Sequence, residues 1–182
     1  MPGNLANLYQ QTGRGAKAQV AFESALAIFR EVGDRRGAGV ALSNLATSND
    51  GMGRPGEAER LLEQSLALHR EVGNRRSEAV TIGNLAILYA TTGRAAQAEP
   101  LHRQALALHR DLGNRRFEGF QLCDYACVLV TLARREEART AWRDGAAILR
   151  ELRDSQAVER KRAAVRDACV RAGAPPLDED RE

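Results

Sequence analysis

Apolar positions along this chain fall at helical spacing, and the pattern returns every 40 residues. In the clearest copy Ile82, Leu85, Ala86 and Tyr89 stand at i, i+3, i+4 and i+7, one face of a helix. Gly93 then ends that helix. A second helix is predicted from about Ala95 to Leu112, with Ala98, Leu101, Ala105 and Leu108 on one face and Gly113 as its stop. Asn114 follows and is expected to cap the next helix through its side-chain oxygen. Pro100 falls in the early turns of its helix, where a missing amide costs least.

The same reading repeats along the chain. "NLANLYQQTGR" (Asn4 to Arg14), "NLATSNDGMGR" (Asn44 to Arg54) and "NLAILYATTGR" (Asn84 to Arg94) align, followed by Ala18, Ala58 and Ala98. Then come "SALAIFREVG", "QSLALHREVG" and "QALALHRDLG". A degraded fourth copy reads "DYACVLVTLAR" from Asp124 to Arg134, with Ala138 and "DGAAILREL" after it. Ala133 stands where Gly is expected and Gly145 where Ala is expected, so the fourth copy should pack less regularly. Asn49 replaces a Tyr and brings a polar side chain into the packing of the second copy. Ser155 is expected to cap a last helix reaching about Ala172, with Val158, Val165, Ala168 and Cys169 on its inner side. Arg160, Lys161, Arg162, Arg166 and Arg171 face outward, which suits the polar terminal helix a repeat array needs.

This periodicity resembles the tetratricopeptide repeat (TPR). The third copy supplies its pattern as Ile82, Leu85, Ala86, Tyr89, Gly93, Ala98, His102 and Ala105, at a period of 40. "NLAILYATTGRAAQAEPLHRQALALHR" resembles repeats of kinesin light chain, and the Gly-Asn-Arg-Arg junction resembles repeats of spindle-orientation adaptors and of bacterial signal-transduction ATPases and transcriptional regulators. The resemblance implies an all-α chain, an α-solenoid of antiparallel helix pairs forming a TPR superhelix of about 3.5 to 4 repeats plus a C-terminal capping helix. The boundaries expected are 1–152 for the array, 153–173 for the capping helix and 174–182 for a disordered acidic tail. The repeat equivalent of Ile82 is Pro2, so the first helix starts without its opening turns. An uncapped first repeat would allow self-association, or mark the chain as a piece of a longer array.

The first helix of each pair is expected to line the concave surface of such an array. Its second stripe runs Arg36, Val40, Ser43, Asn44, Thr47 and Gly51, then Arg76, Val80, Gly83, Asn84, Ile87 and Thr91, then Arg116, Phe120, Cys123, Asp124, Cys127 and Thr131. From these the candidate peptide-binding groove comprises Arg36, Asn44, Thr47, Arg76, Val80, Asn84, Ile87, Arg116, Phe120 and Asp124. Paired arginines at a helix start oppose the macrodipole by roughly 0.3–1 kcal/mol, so something acidic should compensate. Arg35, Arg75 and Arg115 are expected to brace against Glu31, Glu71 and Asp111 of the preceding turn. Arg36, Arg76 and Arg116 would take a ligand carboxylate, or else be solvated or paired internally. An Asn amide both donates and accepts, so the Asn row can grip a peptide backbone, or else hydrogen-bond the adjacent helix. The resemblance implies the former for related arrays. Asp124 breaks the row and suits a basic or amide partner. The lysine-rich clamp of chaperone-binding TPR domains would need basic residues at Gly83 and Ile87, which disfavours chaperone C-termini.

Composition changes little. Net charge is +3, spread along the chain and carried almost wholly by arginine, with Lys only at 17 and 161, the mark of a GC-rich genome. Aromatics make up 4%, which argues against base-stacking platforms and so against RNA binding through the basic last helix. Three cysteines without paired spacing point to a reducing, cytoplasmic setting. The run Ala126 to Leu132 is too short to span a membrane. His69 and His109 are repeat equivalents and read as packing positions, as Trp142 does. Cys123 and Cys127 read as small groove residues whose exposure leaves some redox sensitivity, not as a metal site. No nucleophile–base pair or phosphate loop is present, and no cofactor is expected. The expected function is a non-catalytic interaction module, a scaffold or adaptor, binding an extended, partly acidic peptide of a partner protein. The alternative is a sensor segment of a larger ATPase or transcriptional regulator.

Overall fold

The computed structural model describes residues 15–177, and these form helices joined by short turns with no strand among the described residues. The helices are α1 (Gly15–Glu31), α2 (Arg35–Gly51), α3 (Pro55–Glu71), α4 (Arg75–Thr91), α5 (Ala95–Asp111), α6 (Arg115–Thr131), α7 (Arg135–Glu151) and α8 (Ser155–Arg171). Each has 17 residues, and the helix starts are 20 residues apart (35 − 15, 55 − 35). The 40-residue repeat is therefore two equal helix-plus-turn halves. The helix expected at Asn4 to Gly13, with Pro2, and the end of the tail at 178–182 lie outside the described residues.

A single turn chemistry produces this regularity. The residue two places beyond each helix has positive φ, at Gly33, Gly53, Gly73, Gly93, Gly113 and Gly173. The following amide then reaches back five residues, as from Asn74 N to His69 O at 2.8 Å, while Gly73 N bonds Arg70 O at 3.2 Å. The residue that closes one helix also opens the next, since Glu78 N bonds Asn74 O at 2.9 Å. The fourth copy keeps this geometry against expectation. Ala133 adopts φ 58 and Arg153 φ 57, and α7 has the same length as its sisters. Gly145 permits a close approach, because a Cβ there would lie 2.8 Å from both Cys123 Sγ and Gly119 O.

Two capping expectations are corrected. Asn114 makes no side-chain cap bond to α6, and its Nδ2 is buried without a partner among the described residues. Its equivalent Asn74 does accept from Ser77 N, at 3.4 Å, and donates to Ser77 Oγ at 2.9 Å; Phe117 offers no such hydroxyl. The last helix is capped by Asp154, which accepts from Ala157 N at 3.2 Å, and Ser155 is its first helical residue.

The chain divides into residues 1–88 and 89–182, with the division inside α4. In the first unit, α1 packs on α2 and α2 on α3. Its core is Ala and Leu with Phe22, Leu42 and Ile82 fully buried. Ser65 Oγ donates to Gly39 O at 2.8 Å, tying α3 to α2. Asn49, buried as expected, donates to its own helix at Leu45 O, 2.9 Å away, so its amide nitrogen is satisfied. In the second unit α6 is central, packed by α5, α7 and α8. Trp142, Leu149, Val158, Val165 and Cys169 are buried there. Residues 174–177 return to this core: Leu177 is buried, and Arg135 donates to Pro175 O and Pro176 O at 2.6 and 2.7 Å.

Candidate functional site

In the first unit the expected stripe lies on α2 and α4 at the margin of the core. Arg36, Thr47 and Arg76 are exposed, while Asn44, Val80, Asn84 and Ile87 are half-buried. At about 100° per residue these positions lie roughly 100–180° around their helices from the buried Leu42, Leu45, Ile82 and Leu85. Asn84 Nδ2 reaches Ser43 Oγ across the two helices at 3.5 Å, a weak bond that leaves most of its capacity open. Asn44 has no side-chain partner among the described residues. Thr47 Oγ1 donates to Ser43 O of its own helix at 3.2 Å. Arg36 and Arg76 form no ion pair among the described residues.

In the second unit the corresponding positions are occupied internally. Arg116 donates to Asp154 Oδ2 through Nε and Nη2 at 3.1 and 2.7 Å. Asp124 receives Lys161 Nζ at 2.5 and 2.6 Å on its two oxygens. Burial pushes the Asp124 carboxyl above its ordinary range, against the pull of Lys161. Phe120 lies between the two cations, with Arg116 5.0 Å and Lys161 5.5 Å from its ring centroid. The basic partner that Asp124 was expected to find in a ligand is thus supplied by α8.

The first arginine of each pair braces, but not against the acids expected. Arg35 pairs with Glu71 at the end of α3, the second helix of its own pair. Arg75 pairs with Glu78 at 2.9 Å and Arg115 with Glu118 at 2.9 Å, each within its own helix. Arg115 also lies 3.5 Å from Glu151. Glu78 and Glu118 are buried, and each takes a second guanidinium from the preceding helix, Arg70 at 3.1 Å and Arg110 at 2.9 Å. Burial pushes the Glu118 carboxyl up, yet the two arginines hold it below its ordinary value. Sequence reading missed these clips; the available signal was the Arg eight residues before an acid in two copies.

The remaining chemistry-bearing residues lie in the interior. Cys123 is buried and Cys127 half-buried, and burial pushes both thiols up to about 12, so neither is a reactive thiolate. This corrects the expected exposure. His69, His102 and His109 are all buried as packing residues, and burial lowers each imidazole, His102 to about 4. Among the described residues no group of three or more His, Cys, Asp or Glu is placed to hold a metal, and no helix is long and apolar enough to cross a membrane.

Comparison with known proteins follows the same pattern. A family model described as tetratricopeptide repeat matches residues 1–71 and 40–111. No curated protein matches the chain. A solved structure of Podosopora anserina kinesin light chain nearly identical TPR-like repeats is 20% identical at a TM-score of 0.71, covering 94% of this chain and 84% of that one. BtubC (BKLC) from P. vanneervenii is 20% identical at 0.69, covering 98% and 82%. A Signal Transduction ATPase with Numerous Domains protein with a tetratricopeptide repeat sensor, from Pyrococcus horikoshii, is 15% identical at 0.75, covering 93% of this chain and 26% of that one. At these identities the likeness shows the fold.

Proposed function

The chain belongs to the tetratricopeptide repeat family, whose repeats are generally protein-interaction modules, and we propose that it is a non-catalytic module binding an extended, partly acidic peptide of a partner protein. The α2–α4 stripe of the first unit is the site. One observation carries this: Arg36 and Arg76 stand on the stripe without an acid, whereas their equivalent Arg116 has Asp154. Two exposed guanidiniums one repeat apart suit carboxylates spaced along an extended chain. The side-chain amides of Asn44 and Asn84 offer donors and acceptors to a peptide backbone, and Val80 and Ile87 supply apolar contact. A preformed helical face leaves the ordering cost with the peptide.

The test is capture from native lysate by the intact chain, Asn44→Ala/Asn84→Ala and Arg36→Gln/Arg76→Gln, followed by titration of the captured partner's acidic segment. The proposal expects about a ten-fold or greater loss of affinity in each double variant, with the arginine effect fading in high salt. Unchanged affinity in both would refute it.

A second reading is favoured by the 93% coverage of this chain by the ATPase's sensor-bearing structure. In that reading the repeats are the sensor segment of a larger signalling protein. An ATPase domain encoded in frame with Met1 supports it; a stop codon directly upstream opposes it.

A further inference from the structure

We propose that the second repeat holds a binding site for a small apolar carboxylate, formed where its sister repeats carry a buried glutamate. In the sisters, Glu78 sits between Arg70 and Arg75, and Glu118 between Arg110 and Arg115, at 2.9–3.1 Å. The second repeat keeps both arginines, as Arg30 and Arg35, but has Ala38 in place of the acid. A cavity of about 470 Å³ opens at that position, with Arg30, Arg35 and Ala38 in its wall. Phe29, Leu42 and Leu68 give it an apolar floor. A volume of this order is typical of small-molecule sites.

Three features point to a carboxylate as the occupant. Arg30 has no ion pair among the described residues, whereas Arg70 and Arg110 each have the glutamate. Arg35 is bonded to Glu71, but its equivalent Arg115 serves Glu118 and Glu151 at once, so one acid leaves room for a second. Asp34, the acid on the rim, is turned onto its own helix, its Oδ1 accepting from Gly37 N at 2.9 Å. The corresponding groove of the second unit also has a cavity, of about 500 Å³, whose wall includes Arg110, the equivalent of Arg30, with Arg103, Tyr125 and Thr140, but Glu118 is not in its lining and holds Arg110 by its own carboxylate. Where the glutamate is present, its own carboxylate holds the place. The ligand is therefore an alkyl or aryl chain ending in one carboxylate, its charge on Arg30 and Arg35 and its body on Phe29 and Leu68. This site uses the first arginine of the pair and is independent of the peptide stripe, which uses the second.

Thermal melts of the full chain with sodium hexanoate test it, against hexan-1-ol and sodium chloride at matched ionic strength. Hexanoate alone is expected to raise the midpoint saturably by roughly 2–4 °C, a modest linkage effect. Ala38→Glu is expected to raise the midpoint without ligand and to abolish the hexanoate response, because the new side chain occupies the site. Arg30→Gln, at an exposed position, is expected to leave the midpoint alone and remove the response. A rise shared by hexan-1-ol, no rise at all, or a full response in Arg30→Gln would overturn the proposal, whatever the stability of Ala38→Glu.

Discussion

Lys161 and Asp124 are bonded 37 residues apart, the ammonium reaching both carboxylate oxygens from α8 to α6. Their side chains are only 21% and 17% exposed, so neither charge is well solvated by itself. Lys161→Ala should strand a half-buried carboxylate and cost about 1–3 kcal/mol in urea denaturation. Adding Asp124→Asn should recover much of that loss, since the neutral amide tolerates the site. If the double variant is no better than the single one, the lost stability comes from Lys161 packing and not from its charge.

His102 makes stability depend on pH. Its Nδ1 lies 2.6 Å from Gln121 Nε2, its ring stacks on Tyr125 at 5.6 Å, and Nε2 is buried without a partner among the described residues. Burial, and then the Lys161 charge, lower its pKa from 6.5 to about 4. The unfolded chain takes up this proton below pH 6.5, while the folded chain refuses it until about pH 4. Stability is therefore whole above pH 6.5, falls between pH 6.5 and 4, and gains no further loss from this group below. The fall is about 3 kcal/mol. Urea midpoints across that range should drop less steeply in His102→Leu; parallel slopes would contradict a buried neutral imidazole.

Ala133 pays for a turn that glycine makes freely at the sister positions. Its φ of 58 is the left-handed region, which costs an L-residue about 1–2 kcal/mol. Glycine returns part of that gain through its larger unfolded-state entropy. Ala133→Gly should stabilise the chain by about 0.5–1 kcal/mol, visible as a higher melting midpoint. A lower midpoint would show that the turn relaxes without strain.

Gly145 should not tolerate a methyl group. Two of the three nearest atoms to an added Cβ are Cys123 Sγ and the Gly119 carbonyl oxygen, both at 2.8 Å, and a backbone oxygen cannot rotate away. Gly145→Ala should cost about 1–3 kcal/mol by forcing α6 and α7 apart. A neutral result in equilibrium unfolding would mean that the pair can slide without loss.

The repeat period, the helix pairs, the buried Ala and Leu faces and the interior places of Trp142 and the histidines were all legible in the sequence. These depend on which residues share a helix face, and face is a local matter of 3.6 residues per turn. The turns were legible too, since glycine every 20 residues marks the left-handed position, and only Ala133 and Arg153 hid it. Tertiary structure alone decided the partners of the charges. Arg35 chose Glu71 at the end of α3 over Glu31 nearby, Arg116 found Asp154, and Arg75 and Arg115 turned to buried acids on their own helices. It also placed Cys123 in the core instead of on the stripe. Helical phase gives a direction around one axis; how deep a side chain lies, and which charge it meets, depends on how closely the neighbouring helices approach, and side chains far apart in the chain set that distance.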